Sequence, residues 1–342
     1  MNPMDPASFN HRTERLSTGR TYHFVDQRPV TYPDHKKPAA AARTILCVHG
    51  FPDIWYGWRY QIGPWVRAGY RVVVPDMLGY GGTDKPLAVE EYSTKKLCAD
   101  LAALLDIIGV SRAIVIGHDW GSYIAGRFAL WHPDRLLALA LFSAPFTPPT
   151  KRYNSLEDIV KKVPNYAYQL YFARSESTKE IEANLERFLR LTYALEVPQI
   201  NPMLDGNMRQ VIVNPGVTRP STSKRPLTND ELQYVASQLR NMNGPLSYYR
   251  TTKIRFEEEQ AAKLPSHLPA GLPVLHIWGG KDLSATPGVV SRMREMIAGY
   301  EEIELPYKGH WIMAEAKEEV TGAVLRWLSK WEVKPVKVKS ML

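Results

Sequence analysis

Apolar residues in this chain fall into two alternating arrangements. Short continuous runs have the length and composition of buried strands: ARTILCVHG, ending at His49, YRVVVPD, ending at Asp76, SRAIVIG and LLALALFSAP. Between them lie segments whose apolar positions recur at helical spacing. LCADLAALLDIIG is one, and GSYIAGRFALWHP, stopped by Pro133, is another. Near the end, LPVLHIWGG and YEEIELP read as strands and EEVTGAVLRWLSKW as a closing amphipathic helix. This alternation predicts an α/β fold, a mostly parallel sheet with helices on both faces.

The rhythm stops between Phe146 and Phe256. After the proline-containing turn FTPPTKR come two helical patterns, SLEDIVKKV with NYAYQLYFARS, and KEIEANLERFLRLTYAL. A long loop carrying Pro198, Pro202, Pro215, Pro220 and Pro226 leads to a further helix, TNDELQYVASQLRNM. Ligands bind outside the carboxyl ends of parallel strands, so helices inserted over that edge read as a lid. The expected organisation is a core in two parts, residues 1–145 and 257–342, interrupted by a helical lid over 146–256.

Composition narrows the class. The 342 residues, 44% hydrophobic and 23% charged, can bury a large core. No apolar run approaches the ~18 residues that cross a bilayer, and MNPMDPASFNHRTERL has no secretory pattern. Cys47 and Cys98 lie in apolar or helical contexts, as reduced thiols of a cytoplasmic protein would. The net charge of +8 is spread along the chain, apart from a lysine-rich tail, KWEVKPVKVKS. No nucleic-acid motif accompanies it, so no nucleic-acid partner is expected. The terminal Ser340-Met341-Leu342 is a variant of the S-K-L address and keeps a peroxisomal location open. The pattern is compatible with a monomer or a homodimer.

The chemistry concentrates in IVIGHDWGSYIAG. Gly117-His118-Asp119-Trp120-Gly121 has the spacing of a strand–turn–helix nucleophile motif, with an aspartate at its apex. Glycines two positions either side admit the neighbouring strand and helix, and the following N–H groups point toward an anion. The same pentapeptide also fits an aspartate that merely caps a helix. Its neighbours decide. His49-Gly50-Phe51-Pro52 follows a strand at the place where this fold supplies a second oxyanion donor, so the N–H groups of Phe51 and Trp120 form the expected pair. His310, in YKGHWIM, directly follows the last strand and is the candidate base. Asp282, in WGGKDLSA, is the candidate acid behind it. His276 reads as a core residue, His132 as a helix-end residue, and Asp76 as a loop anchor. The strand before the lid ends FSAPF, without an acid. The order nucleophile, acid, histidine is that of α/β hydrolases.

Over essentially its whole length the chain is similar to the α/β-hydrolase superfamily, and within it resembles the soluble epoxide hydrolases. The resemblance rests on HGFPDIWYGWRYQI, PDMLGYGGTDKP, GHDWGSYIAGRFAL, GGKD and GHW, and in the lid on NYAYQLYFARSE and GPLSYYR. It implies paired lid tyrosines, falling on Tyr168 and Tyr249, with Tyr166, Tyr171 and Tyr248 as rivals. It also implies a small epoxide substrate and no metal or organic cofactor. Asp119 would attack a ring carbon, the tyrosines would donate to the departing oxygen, and His310 with Asp282 would activate water to cleave the ester. A serine nucleophile would leave an ether that water could not cleave, whereas an aspartate leaves a hydrolysable ester.

Rival readings share the aspartate. A haloalkane dehalogenase would use Trp120 toward halide, but the usual second donor position holds Phe51. A haloacid dehalogenase would resemble its relatives in an arginine after the nucleophile, where Trp120 stands. A non-catalytic ligand-binding relative would tend to lose a triad member, and all three are present. Trp55, Trp58, Phe146, Tyr171, Phe172 and Trp311 lie in segments expected to face the pocket, which suits an apolar or aromatic epoxide.

Overall fold

The computed structural model describes residues 1–29, 42–195, 200–204, 206–217, 225–297 and 299–332. Pro198 and Pro220 of the expected loop lie outside the described residues, as does the tail beyond Glu332 with Ser340-Met341-Leu342. Among the described residues eight strands form one sheet: β1 (His11–Arg15), β2 (Thr21–Gln27), β3 (Thr44–Val48), β4 (Arg71–Pro75), β5 (Ala113–His118), β6 (Leu136–Phe142), β7 (Val274–Gly279) and β8 (Glu301–Leu305). Their spatial order is β1-β2-β4-β3-β5-β6-β7-β8. The pairings among β3 to β8 are parallel, and β1 and β2 add antiparallel at one edge. Every residue of β3, β4, β5 and β7 is buried, which accounts for their unbroken apolar runs.

Helices α1 (Arg59–Arg67), α2 (Thr94–Ile107) and α3 (Trp120–Trp131) lie between the strands of the first part. Between β6 and β7 come α4 (Leu156–Lys162), α5 (Tyr168–Phe172), α6 (Glu176–Ala183), α7 (Leu185–Thr192), α8 (Asn207–Val213), α9 (Asn229–Gln238), α10 (Asn243–Arg250) and α11 (Thr252–Ala261). Helix α12 (Pro287–Met296) separates β7 from β8, and α13 (Ile312–Glu315) and α14 (Lys317–Glu332) close the chain. Among the described residues no helix is long and apolar enough to cross a membrane.

Three details differ from the sequence expectation. KEIEANLERFLRLTYAL forms two helices, because Asn184 leaves helical geometry (φ −126°, ψ 27°) and turns its amide back to Glu180 O. The loop expected between the second and third helical patterns contains α8, which buries Met208, Val211 and Ile212. The expected boundary at 256/257 falls inside α11. The N-terminal hairpin of β1 and β2 also went unread.

The inserted helices are tied to the core by buried polar contacts. Arg59 of α1 reaches Glu231 of α9 at 2.8 Å, with its guanidinium over the rings of Tyr56 and Tyr60, at 4.5 and 4.3 Å. Glu231 also closes a capping box with Thr228 at the start of α9. Arg127 of α3 pairs with Glu259 of α11 at 2.6 Å. Tyr193 donates to Pro52 O and Tyr248 to Leu78 O.

Removing one partner of such a buried pair strands the other charge. Glu231→Ala is expected to lower unfolding free energy by about 3–5 kcal/mol. The Arg59→Ala/Glu231→Ala double variant should lose less than the sum of the singles, as denaturant titration of all three will show.

Candidate active site

The turn from β5 into α3 brings three backbone segments together. A Cβ on Gly117 would lie 2.1 Å from Gly121 O, and one on Gly121 would lie 2.0 Å from Val48 O. Only glycine permits this approach. At the apex Asp119 has φ 54° and ψ −120°, a conformation rare for any residue with a side chain. Its carboxylate makes no capping bond to α3. It accepts instead from Phe51 N–H at 2.8 Å, and the adjacent N–H of Trp120 also favours its charged form. The aspartate is thus no ordinary helix cap, and the two expected oxyanion donors already meet at an anion.

His310 stands beside it. Its Nε2 is 3.8 Å from Asp119 Oδ2, and its Nδ1 is 2.9 Å from Asp282 Oδ2. Burial disfavours the imidazolium, but Asp282, then Asp119 and Glu315, favour it more, so its pKa is raised to about 9. Asp282 is pushed up by its burial, yet the charge of His310 outweighs this and holds it well below the usual carboxylate range. Burial raises Asp119, and His310 with the two N–H donors opposes that rise without cancelling it.

The loop carrying His310 is fixed from two sides. Glu315 accepts from Gly309 N–H at 2.7 Å and Trp311 N–H at 2.8 Å, bracketing the histidine. His118, buried beneath, donates from Nε2 to His310 O at 2.9 Å. Burial and then the neighbouring His310 lower its pKa to about 3, which keeps it neutral. Asp282 is held by Ser143 Oγ at 2.5 Å and by the N–H and Oγ of Ser284 at 2.8 and 2.7 Å. Sequence reasoning missed Glu315, Ser143 and Ser284, and gave His118 no role. None of the first three carries a local pattern that marks it. His118 was visible inside the motif but its partner lies 192 positions away.

Over this group sit rings from core and insert. Tyr249 meets Phe51, Trp120 and Phe172, each at 5.1 Å between centroids, and Tyr168 lies 6.2 Å from Tyr249. The rival tyrosines have committed their protons: Tyr166 to Ser284 O, Tyr171 to Glu180, and Tyr248 to Leu78 O. Tyr168 instead accepts from Gln169 Nε2 at 3.4 Å, and Tyr249 stands edge-to-face with Trp120, its hydroxyl making no hydrogen bond to a carbonyl or carboxylate among the described residues. Burial, reinforced by Asp119 among other neighbours, raises both phenols well above their ordinary pKa, so both remain protonated.

Of the expected pocket residues, Phe172 joins this aromatic group and Trp311 packs edge-on to His310 at 4.9 Å. The other four are packed elsewhere. Trp55 sits among Phe9, His11 and Tyr56 and donates to Tyr234. Phe146 lies against Gly126 of α3, and Tyr171 is turned to Glu180. Trp58 is buried against Trp65 and Phe142. Asp76 anchors its loop, accepting from His23, Trp55 N–H and Gly82 N–H, and His276 is a core residue bonded to Ser143 O. Among the described residues no group of three or more His, Cys, Asp or Glu side chains is arranged to hold a metal ion.

A mostly parallel sheet with a carboxylate after β5, a second after β7 and a histidine after β8 has the α/β-hydrolase arrangement, and residues 43–317 match the alpha/beta hydrolase fold family. The chain is 31% identical over 311 residues to epoxide hydrolase A of Mycobacterium tuberculosis, covering 86% of this chain and 92% of that one. It is 28% identical to the bifunctional epoxide hydrolase 2 of Rattus norvegicus, over 99% of this chain but only 59% of the rat protein's length. The crystal structure of epoxide hydrolase A from Mycobacterium thermoresistibile superimposes with a TM-score of 0.79 at 28% identity, over 94% of this chain and 98% of that one. The chain belongs to the α/β-hydrolase family, among the epoxide hydrolases.

The ion network makes a prediction about stability. A histidine whose folded pKa is raised to about 9 contributes stability that is full below its ordinary value of 6.5 and is lost as pH rises through about 9. The melting temperature should therefore fall across that window. His310→Gln should flatten the fall; an equally steep fall in the variant would assign it to other groups.

Proposed function

We propose that the chain hydrolyses an epoxide to a vicinal diol through an ester on Asp119. The observation that carries this reading is the pair Tyr168 and Tyr249, whose hydroxyl protons remain available above a carboxylate held by two oxyanion donors. The names of the relatives support the same reaction. In the first step an Asp119 oxygen attacks a ring carbon, and the carbon–oxygen bond of the ring breaks. The electron pair goes to the ring oxygen, which the two phenols protonate or hold. General acid help of this kind is worth roughly 10²–10⁴-fold.

Alkylation neutralises Asp119 and so removes one of the charges that favour the His310 imidazolium. The pKa of the histidine falls, so more of it is neutral and free to accept a proton. Its Nε2 takes a proton from water, and the oxygen attacks the ester carbonyl carbon. The N–H groups of Phe51 and Trp120, which held the carboxylate, now hold the oxyanion; such donors contribute about 3–4 kcal/mol. Collapse expels the diol oxygen, which takes the proton from His310; the second proton of the water, released as Asp119 returns to a carboxylate, restores the phenol. The insert acts as a lid that supplies both acids. Phe51, Phe172, Phe188 and Trp120 around the site suit an apolar or aromatic substrate. A halide would lack the second side-chain donor usual beside the nucleophile, since Phe51 offers none.

Single turnover of styrene oxide in isotopically labelled water should place the label in the Asp119 carboxylate; label in the first diol would mean direct attack by water. His310→Gln should accumulate an adduct on Asp119 visible by mass spectrometry. Tyr249→Phe should slow adduct formation by about 10²-fold or more. A chloroalkane run in parallel should release no halide.

A further inference from the structure

Ser143 is the residue that follows β6, and its φ is +65°, a region where glycine is the usual occupant. It is fully buried. Three bonds hold it there: its N–H donates to Ile277 O at 2.9 Å, its carbonyl accepts from His276 Nε2 at 3.0 Å, and its Oγ donates to Asp282 Oδ2 at 2.5 Å. A glycine would satisfy the backbone with less strain, so the backbone does not explain a serine. The hydroxyl does.

The bonds around Asp282 divide unequally. Oδ1 takes both donors of Ser284, a residue two positions along the same loop. These bonds shape the loop but move with it. Oδ2 takes His310 Nδ1 and Ser143 Oγ. Ser143 is therefore the contact that references the carboxylate to another strand of the sheet, and it shares one oxygen with the imidazole. Its Oγ lies 3.1 Å from His310 Nδ1 itself.

We infer that Ser143 is a positioning residue for the hydrolytic step, its hydroxyl fixing the Asp282 carboxylate in the orientation that His310 uses. The inference rests on the roles of Asp119, Asp282 and His310 proposed above. Four donors fill the acceptor sites of Asp282, so its charge is shared. Such an anion holds the neighbouring imidazolium proton less tightly than one with an oxygen left to the histidine alone. Losing the hydroxyl thus has two effects on ester hydrolysis. The imidazole is less well aimed, and it stays protonated to higher pH. Attack by Asp119 on the epoxide precedes this step and uses neither effect.

Ser143→Gly and Ser143→Ala test the idea by rapid-quench single turnover with styrene oxide across pH. Both variants should form the Asp119 ester with wild-type amplitude and hydrolyse it about ten-fold or more slowly. The pH midpoint of hydrolysis should move up by about half a unit or more. Glycine relieves the backbone strain and alanine does not, so equal effects in both follow the hydroxyl. Wild-type hydrolysis with an unchanged midpoint in Ser143→Gly overturns the inference. So does an equal slowing of both steps with no shift, which is the mark of a purely structural role. Failure of the wild-type protein to form any ester is a separate result that sinks the covalent reading and takes this inference with it.

Discussion

The approach of β3, the β5 turn and the start of α3 is the constraint on which the rest of the site depends. Gly121 lets the first turn of α3 rest directly against Val48 O, and Gly117 lets the turn fold back on itself. Gly50 sits equally close on the other side, where a Cβ would lie 2.5 Å from Asp119 Cβ. That contact sets the N–H of Phe51 onto the Asp119 carboxylate. Backbone packing, rather than any flexible side chain, therefore aims the proposed oxyanion donors. A site built this way costs no reorganisation when charge moves during reaction.

Electrostatics follows from the same geometry. Two carboxylates flank one imidazole, Asp282 within hydrogen-bond distance of it and Asp119 at the longer 3.8 Å. The closer partner fixes the tautomer and orientation of the ring. The farther one is the group that changes charge in the proposed cycle, so it can alter the basicity of His310 without disturbing its alignment. Glu315 and His118 hold the backbone of the same loop and leave both ring nitrogens to the carboxylates.

The inserted helices contribute by position. Arg59–Glu231 and Arg127–Glu259 join insert to core through buried charges, each of which needs its partner to offset the cost of burial. With α9 and α11 fixed in this way, α10 brings Tyr249 against Phe51 and Trp120, and α5 brings Tyr168 beside it. Docking of the insert is what brings Tyr168 and Tyr249 beside Phe51 and Trp120, as the proposed proton donation requires.

The sequence by itself determined the alternation of strands and helices, the glycine-framed turn at Asp119 and the chain order of Asp119, Asp282 and His310. These are legible because they rest on local periodicity and on backbone sterics within a few residues. The apolar runs of β3 to β7 have the length and composition of buried strands, which is how they fold. Tertiary structure alone decided the break at Asn184, the added hairpin of β1 and β2, and the fate of each tyrosine proton. Tyr166, Tyr168, Tyr171, Tyr248 and Tyr249 are chemically alike in sequence, and what separates them is which acceptor the folded chain brings within reach. The same holds for Ser143 and Glu315. Hydrogen bonds act over about 3 Å, and whether a residue makes one is set by neighbours that may lie anywhere along the chain.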